Sequence, residues 1–141
     1  MSEQYLGEWL SKQEDDYRQS IEIHTKVGNP YGAKFHLSPL CREEILNHAH
    51  SSLEKLKTTY VDLLYIHEPD PKTPLAESAN ALIELIEEGL VRKIGLSNVN
   101  LAYVEKFAMT MGPEYVQHLF CIQNAFNFLE LSDADELIPC L

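Results

Sequence analysis

Apolar positions along the chain follow two rhythms in turn, and turn-forming residues mark most of the changes from one to the other. Residues 21–27, IEIHTKV, alternate in character and are rich in β-branched side chains, and Gly28-Asn29-Pro30 closes them. Residues 60–67, YVDLLYIH, are almost continuously apolar, as a strand covered on both faces requires, before Pro69 and Pro71 break the run. Residues 91–98, VRKIGLSN, and 120–126, FCIQNAF, read as a third and a fourth strand. Between these runs the period lengthens to that of a helix. Residues 2–12 put Leu6, Trp9 and Leu10 on one face behind Ser2 as a candidate N-cap. Ser38-Pro39 reads as the cap and first residue of the next helix, with Glu43 and Glu44 at its positive end and Ile45, Ala49, Leu53 and Leu56 as its apolar stripe. Thr73-Pro74 opens a third helix, which carries Leu75, Ala79, Leu82, Ile83 and Ile86 inward and stops at Gly89. Asn100 caps a fourth, with Leu101, Val104, Phe107 and Met111 on one face and Gly112-Pro113 as its end. Ser132 caps a last acidic turn.

The strands start near residues 21, 61, 91 and 120, roughly 30 to 40 residues apart, which is the βαβ period. The expected fold is therefore α/β, with about four parallel strands, outer helices and right-handed crossovers. Repeated βα units of this kind suggest a partial (β/α)8 TIM barrel, since a whole one takes about 250 residues and this chain has 141. Nothing in the sequence reads as a linker, a low-complexity tract or a second domain, so residues 1–141 are expected to form one partial barrel domain.

Each predicted strand ends in a polar group: Lys26, His67, Ser97-Asn98 and Gln123. Parallel strands bring their carboxyl ends to one face, where ligands bind. A lysine and a histidine there suit either Schiff-base chemistry on Lys26, as in a lysine-dependent lyase, or carbonyl reduction with His67 holding the substrate oxygen. Asn98 and Gln123 favour the second, because side-chain amides can pair with a nicotinamide carboxamide in both directions. No GxGxxG loop is present, so a dinucleotide would not be held in the Rossmann manner.

Composition narrows the choice further. A formal net charge of −11, with scattered lysines and no basic stripe, disfavours nucleic acid as a partner. Cys41, Cys121 and Cys140 are odd in number and lack CxxC spacing, which points to a reducing compartment and thiols used as small apolar residues. With no basic-then-apolar start and no 18-residue apolar stretch, the expected setting is the cytosol, away from membranes. His48 and His50, two apart on a helix, do not share a face, so no metal site is expected. Asp62 interrupts a buried strand and is expected to be paired with a basic group; His24 shares the strand parity of Lys26.

Three segments together carry a resemblance: YVDLLYIHEPD at 60–70, EEGLVRKIGLSN at 87–98 and IQNAFN at 122–127. In this order and spacing they resemble the aldo-keto reductases, and SEQYLGEWL at the start and ADELIPCL at the end extend the likeness over almost the whole chain. The resemblance implies a (β/α)8 barrel that reduces aldehydes and ketones with NADPH. By it, Lys26 matches the lysine that lowers the pKa of an acid tyrosine, and His67 matches the histidine that orients the substrate carbonyl. Ser97, Asn98 and Gln123 match the ligands of the nicotinamide carboxamide. The same resemblance puts the proton-donating tyrosine and its aspartate partner before Ser2, and the cofactor-phosphate loops after Leu141. The expectation is a small-molecule carbonyl substrate, a chain incomplete for catalysis, and self-association through open sheet edges. A truncated homologue that acts by binding a partner is the alternative.

Overall fold

A computed structural model describes residues 2–14, 16–29, 38–127 and 137–138. Helix α1 (Ser2–Leu10) is followed by a 3-10 turn at Tyr17–Ser20 and strand β1 (His24–Val27). Then come α2 (Arg42–Leu56), β2 (Val61–Ile66), α3 (Leu75–Glu87), β3 (Val91–Ser97), α4 (Leu101–Tyr115) and β4 (Leu119–Gln123). The four strands pair in parallel in the order β1-β2-β3-β4. Among the described residues the sheet is open, with β1 and β4 as its edges.

Successive helices pack side by side, α1 on α2, α2 on α3 and α3 on α4, which places them all on one face of the sheet. The core lies between that face and the helices. Leu64 and Ile66 from β2, Ile94 and Leu96 from β3, Ile45, Ala49 and Leu56 from α2, and Ala79, Leu82 and Leu85 from α3 are buried in one cluster. β2 is buried along nearly its whole length, as its unbroken apolar run predicts. Gly7 lets α1 lie close against α2: a Cβ there would lie 2.0 Å from the Lys55 carbonyl oxygen.

Several boundaries differ from those predicted. α2 begins at Arg42, not at Pro39, because Ser38-Pro39 is taken into a turn in which the Cys41 N–H donates to the Ser38 carbonyl. Tertiary partners then serve the helix start: Glu77 accepts from the Arg42 N–H, and the Ser78 hydroxyl donates to the Leu40 carbonyl. Asn100 caps α4 as expected, accepting from the Tyr103 N–H. Gly112, at φ 77, interrupts helical geometry there, so the Gly-Pro pair breaks the helix where predicted although a further turn follows. β1 starts three residues later than its alternating run, and β4 stops at Gln123 instead of Phe126. The Ser132 cap lies outside the described residues.

At the N-terminal end of β2, Asp62 bears out its expected pairing. Its Oδ2 accepts from Arg18 Nη2 at 2.7 Å and from the Ile23 N–H at 2.9 Å, and its Oδ1 accepts from Arg92 Nη1 at 2.9 Å. The two guanidinium groups also lie over the Tyr60 ring, 4.0 and 3.9 Å from its centroid. Burial alone would raise the Asp62 carboxyl. The Ile23 N–H, the Arg18 hydrogen bond and the charges of Arg18 and Arg92 outweigh burial and hold it below the usual carboxylate range.

Candidate active site

The face of the sheet away from the helices is laid out by strand register. Lys26, Tyr65, Gly95 and Cys121 stand in one row across all four strands. Gly95 is what makes this row possible. A Cβ at that position would fall 2.4 Å from the Tyr65 ring, so only glycine lets the ring lie flat across β3. The phenol then reaches β4, where the Cys121 thiol donates to Tyr65 Oη at 3.2 Å. Burial pushes the Tyr65 phenol up to about 12, so it stays protonated throughout the neutral range. On the other side of the ring stands Lys26, its Nζ 5.4 Å from the centroid. His24, one step down β1 on the same face, meets Tyr65 edge-on with centroids 6.3 Å apart.

A bulge shapes the β3–β4 edge. Ile94 pairs with Leu119 but Gly95 pairs with Cys121, so β4 carries an extra residue, Phe120. Its ring is exposed, and Lys93 Nζ lies 3.8 Å from its centroid.

Above the Tyr65 row the strand ends are tied to one another. The His67 N–H donates to the Val27 carbonyl at 2.9 Å, so β2 and β1 remain joined to the rim. That bond puts His67 diagonally next to Lys26 on the same face. β3 ends because Asn98 adopts φ 57, in the left-handed region where asparagine is tolerated better than most residues. The turn sends its side chain back toward β2, and Nδ2 donates to the His67 carbonyl at 2.9 Å. The Asn98 N–H donates to the Gln123 carbonyl at 3.1 Å, and the Ser97 hydroxyl donates to the same oxygen at 2.7 Å.

Four of the five predicted site residues, His67, Ser97, Asn98 and Gln123, are thus joined in one network, and Lys26 flanks it on β1. Their exposures differ in a way the sequence did not indicate. Asn98, Gln123 and Lys26 are exposed and His67 is half-buried, whereas Ser97 is 3% exposed with its proton committed to Gln123. Toward a ligand Ser97 therefore offers an acceptor and not a donor. Tyr65, Cys121 and Asn124 were missed as site residues. A glycine inside the apolar VRKIGLS run was the available sign that a large side chain crosses β3 at that point.

The remaining hydrogen-bonding capacity suits a primary carboxamide. Asn98 spends its amine on the His67 carbonyl and the Ser97 hydroxyl oxygen and keeps its carbonyl oxygen, and Gln123, at the end of the neighbouring strand, is exposed and carries both a donor and an acceptor. Among the described residues no cluster of His, Cys, Asp and Glu could hold a metal ion, and no helix is long and apolar enough to cross a membrane.

Comparison with known proteins identifies the family. The aldo/keto reductase family model matches residues 1–141. The chain belongs to that family. It is 33% identical over 98 residues to aldo-keto reductase YhdN of Bacillus subtilis, covering 70% of this chain and 28% of that protein. It is 36% identical over 117 residues to methylglyoxal reductase DkgB of Escherichia coli O157:H7, covering 82% of this chain and 38% of the relative. Among solved structures, the thermostable aldo-keto reductase Tm1743, crystallised with the inhibitor epalrestat, superposes with a TM-score of 0.77 at 28% identity. That match covers 95% of this chain and 43% of Tm1743. The present chain thus spans well under half the length of these relatives. The open four-stranded sheet is part of an aldo-keto reductase barrel.

Proposed function

We propose that this chain supplies the carbonyl-orienting and carboxamide-binding part of an NADPH-dependent reductase of aldehydes or ketones. The observation that carries the reading is the network binding His67, Ser97, Asn98 and Gln123 into one rim, with Lys26 beside it. Asn98 Oδ1 and the Gln123 amide would hold the nicotinamide carboxamide, fixing which face of the ring meets the substrate. When bound, the cofactor supplies hydride to the carbonyl carbon. The His67 imidazole, placed by its own N–H and carbonyl bonds, orients the substrate oxygen by donating a ring N–H to it. The Lys26 ammonium favours phenolate over phenol, and so makes an acid tyrosine from outside this span a usable proton donor. Cys41 and Cys121 are free thiols, in keeping with a cytosolic setting. Titration of NADPH into the purified chain, followed by cofactor fluorescence, tests the reading. Saturable binding, weakened by Asn98→Ala or Gln123→Ala, supports it; no binding by a folded chain counts against it.

A second reading rests on the sheet edges. Among the described residues β1 and β4 each have one side open, and Phe120 on β4 is 58% exposed. Parallel sheets are rarely left with bare edges, so two copies would pair edge to edge. Sedimentation of the 141-residue chain as a dimer or larger species supports this, and a compact monomer overturns it.

A further inference from the structure

We propose that Asn124 is a positioning residue for the carboxamide site, acting by clamping the main chain just beyond Asn98; the inference rests on the cofactor reading above. β4 ends at Gln123, so its main chain offers β3 no further rung. The Asn124 side chain takes over as a substitute peptide group. Its Oδ1 accepts from the Val99 N–H at 3.1 Å, and its Nδ2 donates to the Val99 carbonyl at 2.5 Å. The residue on the near side is held as well, since the Asn98 N–H donates to the Gln123 carbonyl at 3.1 Å. Asn98 is therefore pinned before and after its Cα while its backbone sits at φ 57.

That pinning matters because the conformation is costly. A non-glycine residue in the left-handed region persists only where its surroundings over-determine it. Val99 gives the clamp a fixed base: its side chain is buried in the core between sheet and helices. Asn98 thus keeps its amine on the His67 carbonyl, and its carbonyl oxygen keeps one direction. Without the clamp, residues 98–99 gain freedom, and the amide must be ordered again each time a ligand binds.

The test compares the wild-type chain with Asn124→Ala and with Asn124→Asp, which is nearly isosteric and keeps the acceptor but cannot donate to the Val99 carbonyl. Two quantities are read. The first is amide hydrogen exchange at Asn98 and Val99, expected to quicken about tenfold or more in Asn124→Ala and by less in Asn124→Asp, whose acceptor still serves the Val99 N–H, while exchange in β1 and β2 is unchanged. The second is the ratio of affinities for NADP+ and for its nicotinic-acid analogue, in which a carboxylate replaces the carboxamide. The wild-type ratio is expected to be about tenfold or more, and to fall to within about twofold in the variants, because an unaimed amide no longer discriminates. A purely structural loss would weaken both ligands equally and leave the ratio unchanged, which would overturn the positioning role. Unaltered exchange at residues 98–99 overturns the clamp whatever the ligands do. Failure of the wild-type chain to bind either dinucleotide overturns the cofactor reading instead, and the exchange measurement still decides the clamp.

Discussion

At the N-terminal end of β2, Asp62 receives three donors, and two arginines lie over the Tyr60 ring. At the C-terminal end of the same strand, His67 and Asn98 use their main-chain and side-chain groups to hold one another while presenting further polar atoms outward. One end uses its charges up; the other holds its polar groups in place and leaves part of their capacity unspent. On the proposed function, stability and ligand binding fall to opposite ends of the same strands, and substitutions at the two ends should fail in different ways.

The largest effect expected is at the N-terminal lock. Asp62→Ala leaves Arg18 and Arg92 facing each other and the Ile23 N–H without its acceptor. It should cost about 3 kcal/mol in chemical denaturation, the low end for breaking a buried pair because Arg92 is largely exposed. The pH dependence follows in sign. The folded Asp62 carboxyl lies below its unfolded value near 3.9, so its contribution is complete above about pH 4. It is lost as pH falls through the folded value. Asp62→Asn should flatten that part of the acid limb, leaving the same-signed share of Asp70, whose carboxyl is likewise held low despite burial by the Thr73 hydroxyl and the Lys72 and Leu40 N–H groups.

Next in size is the floor of the candidate site. Gly95→Ala sets a methyl group against the Tyr65 ring and should destabilise by about 1–3 kcal/mol. Adding Tyr65→Leu should recover much of the loss, and a double-mutant cycle measures the coupling. At the rim the failure should change in kind. Asn98→Gly relieves the left-handed backbone and removes the amide, so thermal stability should hold or rise while NADPH affinity falls about tenfold. The smallest effect belongs to Tyr60, whose hydroxyl is buried with no hydrogen-bond partner among the described residues. Tyr60→Phe keeps the ring under the two arginines and should change stability by no more than about 0.5 kcal/mol in either direction.

How much of this was legible in the sequence depended on how local the cause was. The unbroken apolar run of β2, the Asn100 cap and the Gly89 stop each follow from a few adjacent residues, and each stands where it was read. The start of α2 did not, because its Ser38-Pro39 signal was overridden by Glu77 and Ser78, side chains from another helix. Strand-end chemistry was legible as residue types at a shared face, which is how Lys26, His67, Ser97, Asn98 and Gln123 could be named. Exposure and partners were not: that Ser97 turns its proton inward, or that Asn124 completes a ladder its own strand has left, depends on register between strands. Asp62 could be expected to need a basic partner, but nothing local pointed to Arg18, 44 residues earlier.

The central claim is that one end of the sheet binds ligand and the other only holds it together. Amide chemical shifts of the isotope-labelled chain, followed during an NADPH titration, test it most directly. The account predicts saturable changes at His67, Ser97, Asn98, Val99, Gln123 and Asn124, with Arg18, Asp62 and Arg92 unmoved. Changes centred on the Asp62 cluster, or a folded chain whose rim amides stay still at saturating cofactor, would contradict it.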